Sequence, residues 1–242
     1  MTGKLSGRTI LITGASSGIG AAVARSFAAE GARLILAARR REKLEALAAE
    51  LGDAEILIRP TDVTQEEDVK ALFAESEAFG PVDMLVNNAG STTHGAAVDM
   101  TMETWRATIE LNLTAGFLCA REALRVMIPR KRGRIINIGS ISAQVPRNNA
   151  IAYTASKYGM EGLTRGLALE AREHGITVSI VLPGSTVSEL AGQPEDLSRV
   201  GDKTMAGTTV ASVILTMAAM PDDANLLTAT VLPIAQPYLG RG

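Results

Sequence analysis

Tyr153 and Lys157 stand one helical turn apart, and Ser140 lies thirteen residues before the tyrosine, after an apolar run. Residues at i and i+4 share one face of a helix, so the phenol and the ammonium would lie side by side. Ser140 adds a hydroxyl that can donate a hydrogen bond to a substrate oxygen. The three groups together predict acid–base chemistry around a single carbonyl.

Tyr153 is the natural acid for such chemistry. A free tyrosine titrates near pH 10, so little phenolate exists at neutral pH. An ammonium at roughly 4 Å, at an effective dielectric of about 20, would attract the phenolate by about 4 kcal/mol, or roughly three pKa units. We therefore predict that Lys157 lowers the pKa of Tyr153 towards neutrality, although burial acts in the opposite direction.

A hydrolase-type nucleophile is not indicated. Neither His94, in a predicted loop, nor His174, at a predicted helix end, is placed to activate Ser140. On its own, a Tyr-x-x-x-Lys spacing is most often an exposed helix face. The pattern gains weight here from the upstream serine and from a glycine-rich turn near the N-terminus.

That glycine-rich turn follows the first apolar run of the chain. Glycines let the backbone approach a pyrophosphate closely, and the N–H groups of the next helix favour its negative charge. A tight structural turn is the alternative interpretation, but ligands bind beyond the carboxyl ends of parallel strands. The predicted dinucleotide-binding residues here are Gly14, Ser16, Ser17, Gly18, Ile19 and Gly20.

The end of the second predicted strand indicates which dinucleotide binds. NAD-binding chains place an acidic residue there, but this chain has Arg39 and Arg40, and its first carboxylate is Glu42. A guanidinium can bind a phosphate through two hydrogen bonds, so Arg39, with Arg40 in support, predicts NADP(H) in preference to NAD(H). A solvated helix start is the alternative. Asp62, with Val63 beside it, could contact the adenine or cap the next helix.

Strand and helix patterns alternate along the whole chain. This alternation predicts an α/β fold: one doubly wound, Rossmann-type parallel sheet of about seven strands with helices on both faces, in a single domain spanning 1–242. The strands are predicted over 9–13, 33–38, 55–58, 82–86, 134–138, 176–182 and 228–232. The helices are predicted over 18–30, 42–51, 65–79, 102–127, 153–173 and 208–220.

Composition restricts the partners and the compartment. Of 242 residues, 46% are apolar and 21% charged, with a net charge of −2, so no nucleic-acid footprint is indicated. The uncharged stretches 204–221 and 224–240 are interrupted by polar residues or prolines, and no membrane span or secretory signal is expected. Cys119 is the single cysteine, which suits a reducing cytoplasm, and no metal-binding cluster is apparent.

Several motifs together resemble those of the classical short-chain dehydrogenase/reductase family, over residues 5–234. The matching motifs are Thr13-Gly14-x-x-x-Gly18-Ile19-Gly20, Asn87-Asn88-Ala89-Gly90, Asn112, Ser140, Tyr153-x-x-x-Lys157 and Pro183-Gly184.

The resemblance implies both a catalytic set and a cofactor site. The catalytic residues would be Asn112, Ser140, Tyr153 and Lys157, with Asn112 holding a water that links Lys157 to solvent. It further implies cofactor contacts from Asn88, Ala89, Gly90, Tyr153, Lys157, Pro183, Gly184, Thr186 and Ser188. Family members commonly form homotetramers or homodimers through two long helices, here 102–127 and 153–173.

Two departures from the family pattern concern the substrate end. Ser188 stands where the family often has threonine, and the C-terminus resembles the broad-specificity enzymes that oxidise serine and 3-hydroxy acids more than the fatty-acid ketoacyl reductases. A short polar lid over 189–203 predicts a small carbonyl or alcohol substrate. The alternatives are an NADP-sensing regulatory or scaffold protein on the same fold, and an extended-type epimerase or dehydratase, which the short C-terminal region disfavours.

Overall fold

A single seven-stranded parallel sheet forms the centre of the molecule. A computed structural model describes residues 3–187 and 203–237. The strands lie side by side in the order β3-β2-β1-β4-β5-β6-β7. They are β1 Thr9–Thr13, β2 Arg33–Ala38, β3 Ile56–Pro60, β4 Met84–Asn87, β5 Gly133–Ile138, β6 Ile176–Pro183 and β7 Thr228–Val231. The predicted fold class is confirmed, with strand ends shifted by at most two residues.

Helices cover both faces of this sheet. They are α1 Gly18–Ala29, α2 Arg41–Glu50, α3 Glu66–Phe79, α4 Met102–Ile109, α5 Ala115–Met127, α6 Ile151–Ala171 and α7 Gly207–Ala218. Ile10 and Ile12 of β1 contribute to a core shared with α1, α2 and α7. Leu11, between them, contributes to a second core shared with α3, α5 and α6. Both faces of β1 are therefore buried, which explains why its sequence is apolar throughout.

The helix predicted over 102–127 is not continuous. A π-helical turn, Glu110–Thr114, separates α4 from α5. The interruption coincides with tertiary hydrogen bonds of the buried residue Asn112, whose amide bonds to both backbone groups of Ser91. Such single π turns are frequent at functional sites, and no local sequence signal, such as a proline, marks this one.

A buried polar network ties α5 and α6 to the sheet below the candidate site. The Asn87 amide donates to the carbonyl oxygen of Gly116 at 3.0 Å and to Oδ1 of Asn137 at 3.0 Å. Asn137 in turn donates to Oγ1 of Thr164 at 2.9 Å. Because buried amides are costly to leave unpaired, these bonds fix the helix that carries Tyr153 and Lys157 relative to β4 and β5.

Two kinds of site are not found in the part of the chain that the structure describes. None of its helices is both long enough and apolar enough to cross a bilayer. Within residues 3–187 and 203–237, His, Cys, Asp and Glu side chains also do not gather into groups of three or more that could hold a metal ion.

Candidate active site

Ser140 and Tyr153 meet at the carboxyl end of β5. Ser140 follows that strand and begins a short 3-10 turn, Ile141–Ala143, where its hydroxyl accepts a hydrogen bond from the Ser142 N–H at 3.1 Å. Tyr153 lies in the first turn of α6 and is only 9% exposed, and the Ser140 side chain is near enough to lower the pKa of its phenol. The two predicted hydroxyl groups are therefore neighbours.

Lys157 lies one turn further along α6. Its Nζ is 5.6 Å from the centre of the Tyr153 ring and donates to the backbone oxygen of Ile138 at 3.0 Å. The side chain is buried, and burial lowers the pKa of Lys157 from 10.5 to about 8. Phenol, hydroxyl and ammonium thus cluster beside the end of β5, as the spacing predicts.

The prediction that Lys157 lowers the pKa of Tyr153 towards neutrality is wrong. Burial raises the pKa of Tyr153 above 10, and the hydrogen bond from Ser140 and the charge of Arg147 oppose this rise only in part. The ammonium of Lys157 is directed to a backbone oxygen and is itself disfavoured by burial. Desolvation therefore decides the direction in which the pKa of Tyr153 shifts.

Asn112 lies on the π turn, next to the same cluster. Its amide donates to Ser91 O at 2.9 Å and to the hydroxyl of Ser156 at 3.2 Å. Ser156 then donates to the backbone oxygen of Tyr153 at 2.7 Å. A Cβ on Gly90 would lie 3.0 Å from Asn112 Oδ1 and 3.8 Å from Lys157 Nζ, which places the three residues together.

Ser156 was not predicted from the sequence. The signal that could have identified it is its spacing: it lies three residues after Tyr153, so it follows the tyrosine on one face of a helix. The sequence shows neither its burial nor its bond to Asn112, because the π turn comes from a distant segment. The water relay implied by the family resemblance stays a prediction.

The glycine-rich turn connects β1 to α1 at the point where the strand order reverses. Gly14 and Gly18 have φ values of +63° and +55°, which side chains disfavour. A Cβ on Gly20 would lie 2.4 Å from Gly14 O and 2.5 Å from Asn88 Nδ2. The Asn88 amide donates to the carbonyl oxygens of Thr13 and Gly14, each at 3.0 Å. The segment after β4 thus holds the turn in place, and there is no room for a side chain at Gly14 or Gly20.

The two arginines after β2 behave differently. Arg40 donates to the hydroxyls of Ser16 and Ser17 at 3.1 Å and 2.9 Å, so its guanidinium lies against the glycine-rich turn. Arg39 is exposed and makes no hydrogen bond or ion pair with the residues that the structure describes. Arg39 is the predicted main phosphate ligand, but it is Arg40 that the structure brings to the turn.

Asp62 begins the connection from β3 to α3. Its Oδ1 accepts hydrogen bonds from the N–H and the hydroxyl of Thr64, at 3.0 Å and 2.7 Å. Asp62 therefore does not cap α3 as the sequence allowed: the N-cap residue is Gln65, without a side-chain cap bond, and the Asp62 bonds stabilise the turn before the helix. Val63 is buried and, with Thr13, Ala89 and others, lines a cavity of about 10 Å³, close to the size that holds one water.

The predicted residues after β6 lie at the same edge of the sheet. Pro183 ends that strand, and the Thr186 hydroxyl donates to Gly184 O at 3.0 Å. Ser188 and residues 189–202 of the predicted lid lie outside the described residues. The ends of the four adjacent strands β1, β4, β5 and β6 therefore carry the glycine-rich turn, the Asn88–Gly90 segment, Ser140 and the Gly184 loop side by side.

This arrangement can hold a dinucleotide along the carboxyl edge of the sheet. Turn glycines, free helix N–H groups and arginines suit the phosphates, and a buried phenol in contact with a hydroxyl suits proton transfer. Cys119 contributes no reactive thiol, because burial raises its pKa to about 12.

Comparison with known proteins agrees with this arrangement. The family model for short chain dehydrogenases matches residues 8–196. Nodulation protein G from Rhizobium sp. (strain N33) is 44% identical over 194 residues, which span 80% of this chain and 79% of that protein. A Streptomyces violaceoruber protein, named for the ketoacyl reductase 1 of granaticin polyketide synthase, is 42% identical over 186 residues, or 75% of this chain and 68% of that protein.

A solved structure matches nearly the whole chain. The crystal structure of a metagenomic short-chain oxidoreductase in complex with NADP is 36% identical and superposes with a TM-score of 0.83. The match covers 95% of this chain and 99% of that chain.

Proposed function

The chain belongs to the short-chain dehydrogenase/reductase family of oxidoreductases, and from this premise we propose that it interconverts a small ketone and a secondary alcohol with NADP(H) as the hydride carrier. The observation that carries the proposal is the clustering of the buried Tyr153 and Ser140 side chains with Lys157, whose Nζ is 5.6 Å from the centre of the tyrosine ring. A sensor or scaffold would not require that cluster.

The residues divide the chemistry of reduction between them. When bound, NADPH supplies a hydride to the carbonyl carbon. Tyr153 gives its proton to the carbonyl oxygen, so the substrate gains two electrons and two hydrogens in all. Ser140 donates a hydrogen bond to the same oxygen and stabilises its developing charge. Lys157 and Asn112 lie together beside Gly90, near the tyrosine, and in this proposal they carry the relay that replaces its proton.

The residues at the other end of the site fit a dinucleotide phosphate. Gly14, Gly18 and Gly20 leave room for a pyrophosphate where Cβ atoms would clash or strain the backbone. Arg39 and Arg40 stand where an NAD-binding chain would carry a carboxylate. The NADP complex of the metagenomic relative supports the same preference.

An NADPH oxidation assay tests the proposed activity. We expect absorbance at 340 nm to fall when purified protein and NADPH meet a panel of small ketones and 3-oxo esters, and to rise when NADP+ meets the matching alcohols. Tight NADPH binding without turnover of any ketone or alcohol in the panel would favour the non-enzymatic sensor instead.

The arginine pair is expected to set cofactor preference. Arg39→Ala and Arg40→Ala, combined, should raise the KM for NADPH roughly 10- to 100-fold and change the KM for NADH little, because the loss of one net hydrogen bond to a charged phosphate costs about 1.5–3 kcal/mol. Steady-state kinetics with both cofactors measure this. Arg41→Ala is the control, since Arg41 faces Glu45 on α2. An equal loss with both cofactors would contradict the phosphate contact.

Association between subunits is a further part of the proposal. Met102, Phe117, Tyr158 and Leu169 are large apolar or aromatic side chains that stand exposed along α4, α5 and α6. We propose that these helices pair with those of a second copy to form a homodimer or homotetramer. The single buried cysteine is consistent with a reducing cytoplasmic location.

A further inference from the structure

We propose that Gln236 is a positioning residue that holds the loop after β6, residues 184–187, in the conformation that receives the nicotinamide half of the dinucleotide. The inference rests on the proposed function, and it assigns a part to the C-terminal segment that the cofactor motifs do not include. It stands on a side-chain hydrogen bond that spans 51 positions of sequence.

The Gln236 side chain reaches the loop from a tight turn near the C-terminus. The turn closes when the Gln236 N–H donates to Pro233 O at 3.0 Å. The side-chain Oε1 then accepts a hydrogen bond from the Ser185 N–H at 2.8 Å. The fit is close, because a Cβ on Gly184 would lie 2.4 Å from that same oxygen. Gly184 is therefore needed for the amide of Gln236 to enter.

Three other peptide groups of the loop have backbone partners. The Gly184 N–H donates to Val231 O at 2.8 Å, which extends the pairing of β6 with β7. Met205 N donates to Ser185 O at 3.0 Å, and Val187 N donates to Met205 O at 2.9 Å. The Ser185 N–H differs, because its partner is a side chain. Gln236 thus pairs the Ser185 N–H at the point where the pairing of β6 with β7 stops.

The bond from Ser185 to Gln236 matters because the loop 184–187 lies at the reacting end of the proposed cofactor site. Residues 184–187 follow β6, which lies beside β5, and β5 leads directly to Ser140. The reacting end of a dinucleotide must lie there, whereas its adenosine end lies by Arg40, beyond β1 and β2. Loss of the Gln236 acceptor would leave a partly buried N–H unpaired and let the loop sample other conformations. Binding would then have to order the loop, which lowers affinity.

Binding measurements with two ligands distinguish a positioning role of Gln236 from a general effect on folding. NADPH spans both ends of the site, and 2′,5′-ADP occupies only the adenosine end. For Gln236→Leu we expect the Kd of NADPH to rise at least roughly fivefold, the loss of about one hydrogen bond, with the Kd of 2′,5′-ADP unchanged. Gln236→Ala should behave likewise without adding apolar bulk. Gln236→Glu keeps the acceptor and should restore NADPH affinity.

Ile234→Ala is the matched control, since Ile234 lies on the same turn but is fully exposed. It should bind both ligands as the wild type does. Unchanged NADPH affinity in Gln236→Leu and Gln236→Ala, or an equal loss for both ligands, would overturn the inference while the proposed function stands. Wild-type protein that binds neither ligand would overturn the proposed function and this inference with it.

Discussion

Tyr153→Phe is expected to lower kcat for ketone reduction by on the order of 10²- to 10⁴-fold, the usual contribution of a positioned general acid. The substitution keeps the buried ring and removes the hydroxyl that contacts Ser140. The carbonyl oxygen would then lack its proton donor, while the dinucleotide contacts at the glycine-rich turn would remain. Turnover at saturating NADPH measures the loss, and a fluorescence titration with NADPH shows whether binding survives.

A second tyrosine on the same helix is the matched control. Tyr158 is exposed, and its hydroxyl donates to Gln144 O at 2.8 Å. Tyr158→Phe removes the same atom from α6 and should leave kcat within about twofold of wild type, since surface hydroxyls contribute little. If Tyr153→Phe retained a rate close to that of Tyr158→Phe, Tyr153 would not be the proton donor.

Much of the fold follows from local signals. Short apolar runs alternate with helical stretches, and the ends of α1, α2, α3 and α6 are followed by glycines with positive φ, namely Gly31, Gly52, Gly80 and Gly175. The pairing of Tyr153 with Lys157 also follows from a local signal, because residues four apart on a helix are neighbours. These features need only the nearest turns of chain, so the sequence is sufficient to predict them.

Features that depend on distant segments were not predictable in this way. The π turn at Glu110–Thr114 accompanies the bonds between Asn112 and Ser91, which come from different elements. Arg39 and Arg40 are the same residue type, so the sequence does not show which of them reaches the glycine-rich turn. The direction of each side chain after β2 brings only Arg40 to Ser16. Hydrogen bonds formed after folding decide these details, and residue types alone do not encode them.

Electrostatics was the least predictable property. From the spacing alone, the ammonium of Lys157 should lower the pKa of Tyr153, because an attraction of about 4 kcal/mol corresponds to roughly three pKa units. Burial of both side chains changes the outcome: it raises the pKa of Tyr153 and lowers that of Lys157. The sequence indicates which groups are neighbours but not how much of its hydration each group loses. Desolvation alone can shift the pKa of a buried group by several units.

Lys157→Met is expected to lower kcat by on the order of 10²-fold and to remove a pH dependence that the wild type shows. With a pKa of about 8, Lys157 is mostly protonated at pH 7 and loses its proton above pH 8. If the ammonium supports proton delivery by Tyr153, kcat/KM for reduction should fall as pH rises through about 8. For Lys157→Met, kcat/KM should be low at pH 7 and should not change as pH rises through about 8.

The same lowered pKa predicts how stability depends on pH. Between about 8 and the ordinary lysine value of 10.5, the unfolded chain keeps a proton that the folded protein has released. The free energy of unfolding therefore rises with pH in this window, by up to about 1.4 kcal/mol per pH unit. The cost of burying the charge is fully present below pH 8 and is relieved above it.

Denaturant unfolding of wild type and Lys157→Met from about pH 7.5 to 9.5 tests this linkage, below the range in which Tyr153 titrates in either state. The difference in free energy of unfolding, wild type minus variant, should increase across the window. Lys70→Met, which removes an exposed lysine paired with Glu66 and Glu67 on α3, should run parallel to wild type. If the difference between wild type and Lys157→Met stayed constant, Lys157 would not carry a depressed pKa. Its charge would then persist through the catalytic range, and the fall in kcat/KM would have to come from another group.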